Sequence, residues 1–258
     1  MSLPLLSPVA FILALVIVLA AAFVQSLTGF GFALVGVPFL VLILNPKAIA
    51  PITLILGAGV NALALVAGRR QGNKCKLNRW LLAGALIGIP LGTYLLARLN
   101  PVLLRLLVGG AGITVGIGLA RGYTWRIPRP QLAAMAVGIF SGALNSSTSM
   151  GGGPVALFLA NQRLDKNNFR THLLLYILLV NLAAILALLA ADLLDALTFR
   201  LSLWLTPAML AGFVLGRWQF SRVSRQRFTR IVIGVVVFTS TIGVLITFVD
   251  YLNQAVFH

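Results

Sequence analysis

The sequence predicts an all-α polytopic membrane protein of two inverted-topology repeats, each a broken or re-entrant helix pair followed by three transmembrane helices. Three observations lead there. Of the 258 residues, 60% are hydrophobic and only 9% are charged, whereas a soluble domain carries about a quarter charged residues. Apolar runs approaching the roughly 20 residues that cross a bilayer recur along the chain. The basic residues collect between those runs, in an alternating pattern.

The elements follow in order. Val9 to Leu27 is the first apolar run, and Met1 to Pro8 holds no Lys or Arg, so the run reads as a retained span and not as a cleavable signal. It gives an arm at about 9–28, and a second arm follows at about 32–44. Full spans are expected near 48–67, 80–97 and 102–120. A second set begins with arms at about 131–145 and 151–160, then spans near 171–191, 200–216 and 230–250. The two sets match feature by feature. Phe23 to Pro38 reads FVQSLTGFGFALVGVP and Phe140 to Pro154 reads FSGALNSSTSMGGGP, both Gly-rich and polar between apolar arms. Asn61 in GVNALAL matches Asn181 in LVNLAAIL. The segment around Gly88, Pro90 and Gly92 matches that around Gly212 and Gly216. Arg105, Thr114 and Gly118 recur as Arg230, Thr239 and Gly243 at a constant offset of 125. The expected units are residues 1–121, a cytoplasmic linker 122–130, and residues 131–258.

Charge sets the orientation. With loop 68–79 in the cytoplasm, alternation also places loops 121–130, 161–170 and 217–230 inside, together with 16 of the 20 basic residues. Lys47, Arg98, Arg105 and Arg200 fall outside with Asp192, Asp195 and Asp250. That satisfies the positive-inside rule and puts both termini outside a multi-pass inner or plasma membrane. Equivalent loops of the two halves differ in charge as inversion requires: 68–79 holds five basic residues and 192–200 one.

Several function classes are disfavoured. The formal charge of +16 has the topological explanation just given, and no basic stripe with interleaved aromatics marks a nucleic-acid surface. The single cysteine, Cys75, allows neither an intrachain disulfide nor a thiol pair. No His, Cys or acid cluster has metal-ligand spacing, Ser149 is not in a Gly-x-Ser-x-Gly elbow, and Gly151 to Gly153 lacks the Lys of a phosphate loop. No enzyme activity, cofactor or metal is therefore expected, and no ATP-binding motif supports primary pumping. The chain has no Glu, and no Asp lies well inside a span, which argues against a carboxylate-based cation carrier. His172, at a span start, and Arg105 and Arg230, at matched helix starts, read as interfacial or snorkelling residues.

The candidate site is the pair of breaks. In the second, Asn145, Ser146, Ser147, Thr148 and Ser149 precede Gly151, Gly152, Gly153 and Pro154. Irregular backbone at membrane depth is tolerated only where protein or a water-filled cavity surrounds it. A helix starting after such a break presents free N–H groups and its positive dipole end, an anion site without a basic side chain; hydroxyls add donors. The first break, with Gln25, Ser26, Thr28, Gly29 and Gly31, has the same logic. Asn61 and Asn181 are single amides in apolar helices, either interhelical hydrogen bonds or part of the same centre. For Gly36, Gly57, Gly88, Gly92, Gly116 and Gly118, close helix packing is the preferred explanation.

The run Gln25-Ser26-Leu27-Thr28-Gly29-Phe30-Gly31-Phe32-Ala33 with Gly36 and Pro38, and Asn145-Ser146 through Gly151-Gly152-Gly153-Pro154, resembles the sulfite exporter TauE/SafE-like membrane permeases. The resemblance covers nearly the whole chain. It implies a permease for sulfur-containing anions such as sulfite, sulfoacetate or related small organic acids, and fewer full crossings than ten segments, which fits breaks that are re-entrant or fused. The reading is thus a secondary transporter of a small anion, with the two breaks meeting near the membrane midplane. Its rivals are a channel-like anion facilitator and a non-transporting scaffold or accessory subunit. The implied partners are the lipid bilayer and the anion; a coupling proton or ion and a homo-oligomer are both compatible with the sequence.

Overall fold

A computed structural model describes residues 7–68, 77–121, 129–162 and 166–219. The expected last span near 230–250, Cys75, most of the linker and most of the basic loop residues lie outside these. Among the described residues there are nine α-helices and no strand: α1 (Pro8–Thr28), α2 (Phe32–Leu40), α3 (Pro46–Gly68), α4 (Arg79–Arg98), α5 (Pro101–Arg121), α6 (Pro130–Thr148), α7 (Gly152–Ala160), α8 (Lys166–Ala190) and α9 (Ala196–Gln219). Five of them, α1, α3, α4, α8 and α9, are long and apolar enough to cross a membrane.

The boundaries have local causes. Pro8 opens α1 behind Ser7, whose hydroxyl accepts the Ala10 N–H at 3.2 Å. Asn78 caps α4 by accepting from Trp80 and Leu81, and Asn100 caps α5 by accepting the Leu103 N–H at 2.8 Å. Asp195 accepts the Thr198 N–H at 2.8 Å at the start of α9. Each satisfies a donor that the first helical turn leaves unpaired. Two expected boundaries move. The second arm ends at Leu40, and the residues up to Leu44 form turns. The arm expected to stop at 145 continues to Thr148, so Asn145 to Thr148 are a helical turn, not irregular backbone. A helix can run through this polar stretch because the Ser and Thr hydroxyls are satisfied by carbonyls of the preceding turn, as described below.

Helix packing is organised by small residues. α4 lies along α6: a Cβ at Gly84, Gly88 or Gly92 would overlap the carbonyl oxygens of Met135, Ile139 and Ala143, while Gly138 and Gly142 return the same approach to Leu81 and Ala85. α1 lies along α9 in the same way, with Gly212 and Gly216 against the carbonyls of Leu19 and Phe23. Such contacts replace the hydrophobic drive that is absent between helices in lipid. α3 and α8 cross between the two pairs. One buried cluster joins α1, α2, α3 and α9; a second joins α3, α4, α6, α7 and α8. Large apolar side chains such as Val9, Leu186 and Leu203 remain about two-thirds exposed on the outside, the surface a bilayer covers.

The backbone approach at Gly88 makes a prediction. Gly88→Ala forces α4 and α6 apart and should lower stability by about 2 kcal/mol. Gly110→Ala, where nothing lies within 4 Å, should not destabilise and should gain up to about 1 kcal/mol of helix propensity. Thermal unfolding in detergent compares the two.

Candidate anion site between two helix breaks

Each break is a left-handed residue followed by a short helix. α1 ends at Gly29 (φ 83°), whose N–H donates to the Gln25 carbonyl at 2.8 Å, and Gly31 (φ 113°) starts α2. An L side chain is strained at both positions. α6 ends at Ser149 (φ 62°), whose N–H donates to the Asn145 carbonyl at 2.8 Å. α2 and α7 have nine residues each and so are about 14 Å long, half of a hydrocarbon core.

Similar hydrogen bonds recur at the two breaks, with Gln25, Ser26 and Asn61 standing 120 residues before Asn145, Ser146 and Asn181. The Gln25 side chain donates to Asn61 Oδ1, and the Asn145 side chain donates to Asn181 Oδ1 at 2.9 Å. Ser26 Oγ donates to the Phe213 carbonyl at 3.0 Å, and Ser146 Oγ donates to the Ile89 carbonyl at 2.8 Å. These tie the end of α1 to α3 and α9, and the end of α6 to α8 and α4.

One backbone group sets the polarity of the first relay. The Phe32 N–H, among the first of α2, donates to Gln25 Oε1 at 2.8 Å. An N–H can only donate, so Gln25 must turn its oxygen that way and its NH2 toward Asn61. Asn61 must then present Oδ1, which leaves its NH2 as the terminal donor. Asn61 is fully buried and its Nδ2 has no hydrogen-bond partner. At the second relay Asn181 Oδ1 is likewise occupied, and its Nδ2 lies 3.3 Å from where a Cβ on Gly57 would stand.

Both amides line one cavity, together with Gln25, Gly31, Ser149 and Gly152. Gln25 and Asn181 are almost fully buried. Its free volume of about 20 Å³ has room for roughly one water. The structure therefore brings together six of the residues singled out in the sequence. Asn145 joins them through Asn181. Others stand back. Ser146, Ser147 and Thr148 donate to the carbonyls of Gly142, Ala143 and Leu144 in their own helix, the usual arrangement for hydroxyls in a helix. Ser147 and Thr148 border a separate, mainly apolar cavity with Ala50 and Leu104. Thr28 donates to the carbonyls of Val24 and Phe30. Gly29 lies under the side chain of Arg170, and Gly151 lies against Asn145. Gly153 is buried in the first turn of α7.

Sequence reasoning missed several participants. Leu34, Thr53 and Ile177 also line the cavity, and nothing in their local sequence marks them. Tyr176 donates to Ser141 Oγ at 3.0 Å, and Ser141 donates to the Gly151 carbonyl at 2.7 Å, which pins the second break to α8. Arg170, read as a loop residue, extends from α8 to the first break, where its Nη2 donates to the Ser26 carbonyl at 2.9 Å. Arg217 of α9 is close enough to repel it. No lining side chain of the central cavity is charged among the described residues.

Five bilayer-length apolar helices, with a buried polar cavity between paired helix breaks, define a multi-pass α-helical membrane protein of the transporter class. The family model for the sulfite exporter TauE/SafE matches residues 13–242, and the chain belongs to that family of membrane transporters. No curated protein and no solved structure matches the chain.

The brace on the second break can be tested apart from transport. Tyr176→Phe leaves Ser141 Oγ one donor short inside the protein. It should cost about 1 kcal/mol and raise amide hydrogen exchange in the peptide spanning Gly151 to Gly153. Unchanged exchange there would mean that the bond does not hold the break.

Proposed function

We propose that the protein is a secondary transporter of a small anion, of the sulfite, sulfonate or related organosulfur type, that binds between the two breaks. The observation that carries this reading is the polarity of the two amide relays. Both asparagine oxygens are occupied and both NH2 groups are the available ends, one of them buried without a partner. A cavity that offers donors suits an anion; a cation would need the oxygens. The residues assigned to binding are Asn61 and Asn181, with Gln25 and Asn145 orienting them and Gly31, Ser149 and Gly152 admitting the anion to the backbone. The starts of α2 and α7 add their positive dipole ends. Ser26, Thr28, Gly29, Ser146, Ser147, Thr148, Gly151 and Gly153 hold the two breaks in place around it.

The architecture proposed with it is two inverted repeats, 1–121 and 131–258, joined by a cytoplasmic linker, with both termini outside the inner membrane. The recurrence of the amide relay and of the serine donors at a shift of 120 residues and the asymmetry of basic residues support it, and the length of α2 and α7 suits re-entrant pairs. A carrier fits better than the channel-like rival, because a cavity of about 20 Å³ is closed to an ion of several atoms until one side opens.

Flux into proteoliposomes containing the purified chain tests the reading. Radiolabelled sulfite or a short sulfonate should enter saturably and a monovalent cation should not. Asn61→Leu should reduce that flux at least about tenfold, corresponding to loss of one hydrogen bond to a charged group, while the protein stays folded. The Ser147→Ala, Thr148→Ala double variant should lose less, since those hydroxyls donate within α6. Cation flux alone, or no flux from a folded protein, rejects the proposal.

A further inference from the structure

The donors that recognise the anion are all neutral, and this bears on the charge the anion can carry. The cavity is lined by amides, hydroxyls, backbone and apolar groups such as Phe32, Met150 and Ile177. Arg170, whose guanidinium donates to the Ser26 carbonyl at the first break, and Arg217, close enough to repel it, are not among the residues that line the cavity. They attract any anion in proportion to its charge. The cost of removing an anion from water rises with the square of its charge, so a dianion costs about four times as much as a monoanion. The attraction of neutral donors, amide or backbone, grows only in proportion to the charge and does not match that rise. Attraction doubles and desolvation quadruples, and the balance turns against the doubly charged form.

We infer that the cavity between Asn61 and Asn181 accepts oxyanions as monoanions and rejects dianions. For a sulfur oxyanion the bound species is then hydrogensulfite or a singly charged sulfonate, and sulfite binds only after taking up a proton from water. This rests on the transport function proposed above and adds the charge state of the substrate. It needs no titrating group on the protein: the proton rides on the anion itself, and its availability is set by bulk pH.

The test is flux in proteoliposomes with the same pH on both sides and the membrane potential clamped at zero, from about pH 6 to about pH 9. Three anions are compared against protein-free vesicles: ethanesulfonate, a monoanion throughout; sulfate, a dianion throughout; and sulfite, which changes from one to the other near neutrality. Ethanesulfonate flux should vary little with pH. Sulfite flux at fixed total concentration should fall about tenfold for each pH unit above its second ionisation when expressed relative to ethanesulfonate. Sulfate should move at less than about a tenth of the ethanesulfonate rate. Sulfite flux that holds or rises with pH while ethanesulfonate is carried, or sulfate flux equal to that of ethanesulfonate, overturns the monoanion rule and leaves the transport function standing. No flux of any of the three overturns both.

Discussion

The constraint on which this molecule depends is that two helices stop inside a protein whose surroundings are apolar. A helix end exposes N–H and C=O groups that water would normally satisfy, and in lipid each one left alone costs several kcal/mol. Here the ends of α1 and α6 are each closed by a left-handed residue that returns its N–H to the carbonyl four positions back, Gly29 to Gln25 and Ser149 to Asn145. At the first, the Gln25 side chain also accepts the Phe32 N–H of the following helix. That last bond has a long reach. It orients Gln25, Gln25 orients Asn61, and Asn61, which lines the cavity, is left with a buried donor. A requirement of backbone satisfaction thus fixes which end of each amide in the first relay is left over.

The breaks can sit side by side because other helices let them. The glycine rows of α4 and α9 bring α6 and α1 to backbone contact, and the same two contacts bring Ile89 and Phe213 within reach of Ser146 and Ser26. Packing and site are therefore not separable. A methyl group at Gly92 would meet the Ala143 carbonyl and Ser146 Oγ together, and would disturb the seam and the end of α6 at once. Gly216 stands in the same relation to Phe23 and Ser26. Gly92, which the sequence marks as a packing residue, and its counterpart Gly216 thus also hold the ends of the broken helices in register.

Much of this was legible in the sequence, for physical reasons. Bilayer-length apolar runs and the helix-breaking glycines are one-dimensional signals, and they located the helices to within a few residues. Asn61 and Asn181 were legible because a lone amide in an apolar helix needs a partner. What could not be read was direction. Ser147 and Thr148 look like free donors in a polar run, but once that run is helical their hydroxyls reach the carbonyls of Ala143 and Leu144. Tyr176 and Arg170 act across more than thirty and more than a hundred residues of chain respectively, and no local pattern announces contacts of that separation. Thr53 contributes to the cavity wall while bonding its own helix at Ile49, which no spacing rule distinguishes from an ordinary helical threonine.

The likeness between the two breaks also shows where they part. Shifted by the 120 residues that superpose Gln25 on Asn145 and Asn61 on Asn181, Arg170 corresponds to Ala50. At the first break a guanidinium donates to a carbonyl of the last turn of α1, where the negative end of the helix dipole favours a cation. At the second, Ala50 is buried beside a small cavity shared with Ser147 and Thr148, and three hydroxyls bond back into α6 instead. Leu27 stands where the second break has Ser147, so the run of hydroxyls is longer where the arginine is missing. The two ends of the site are therefore alike in hydrogen-bond geometry and unlike in charge. The first break carries Arg170, which Arg217 is close enough to repel, and the second carries the hydroxyls bonded into α6. The relays of the two halves are alike, and the placement of Arg170 makes the two sides of the cavity between them unequal in charge.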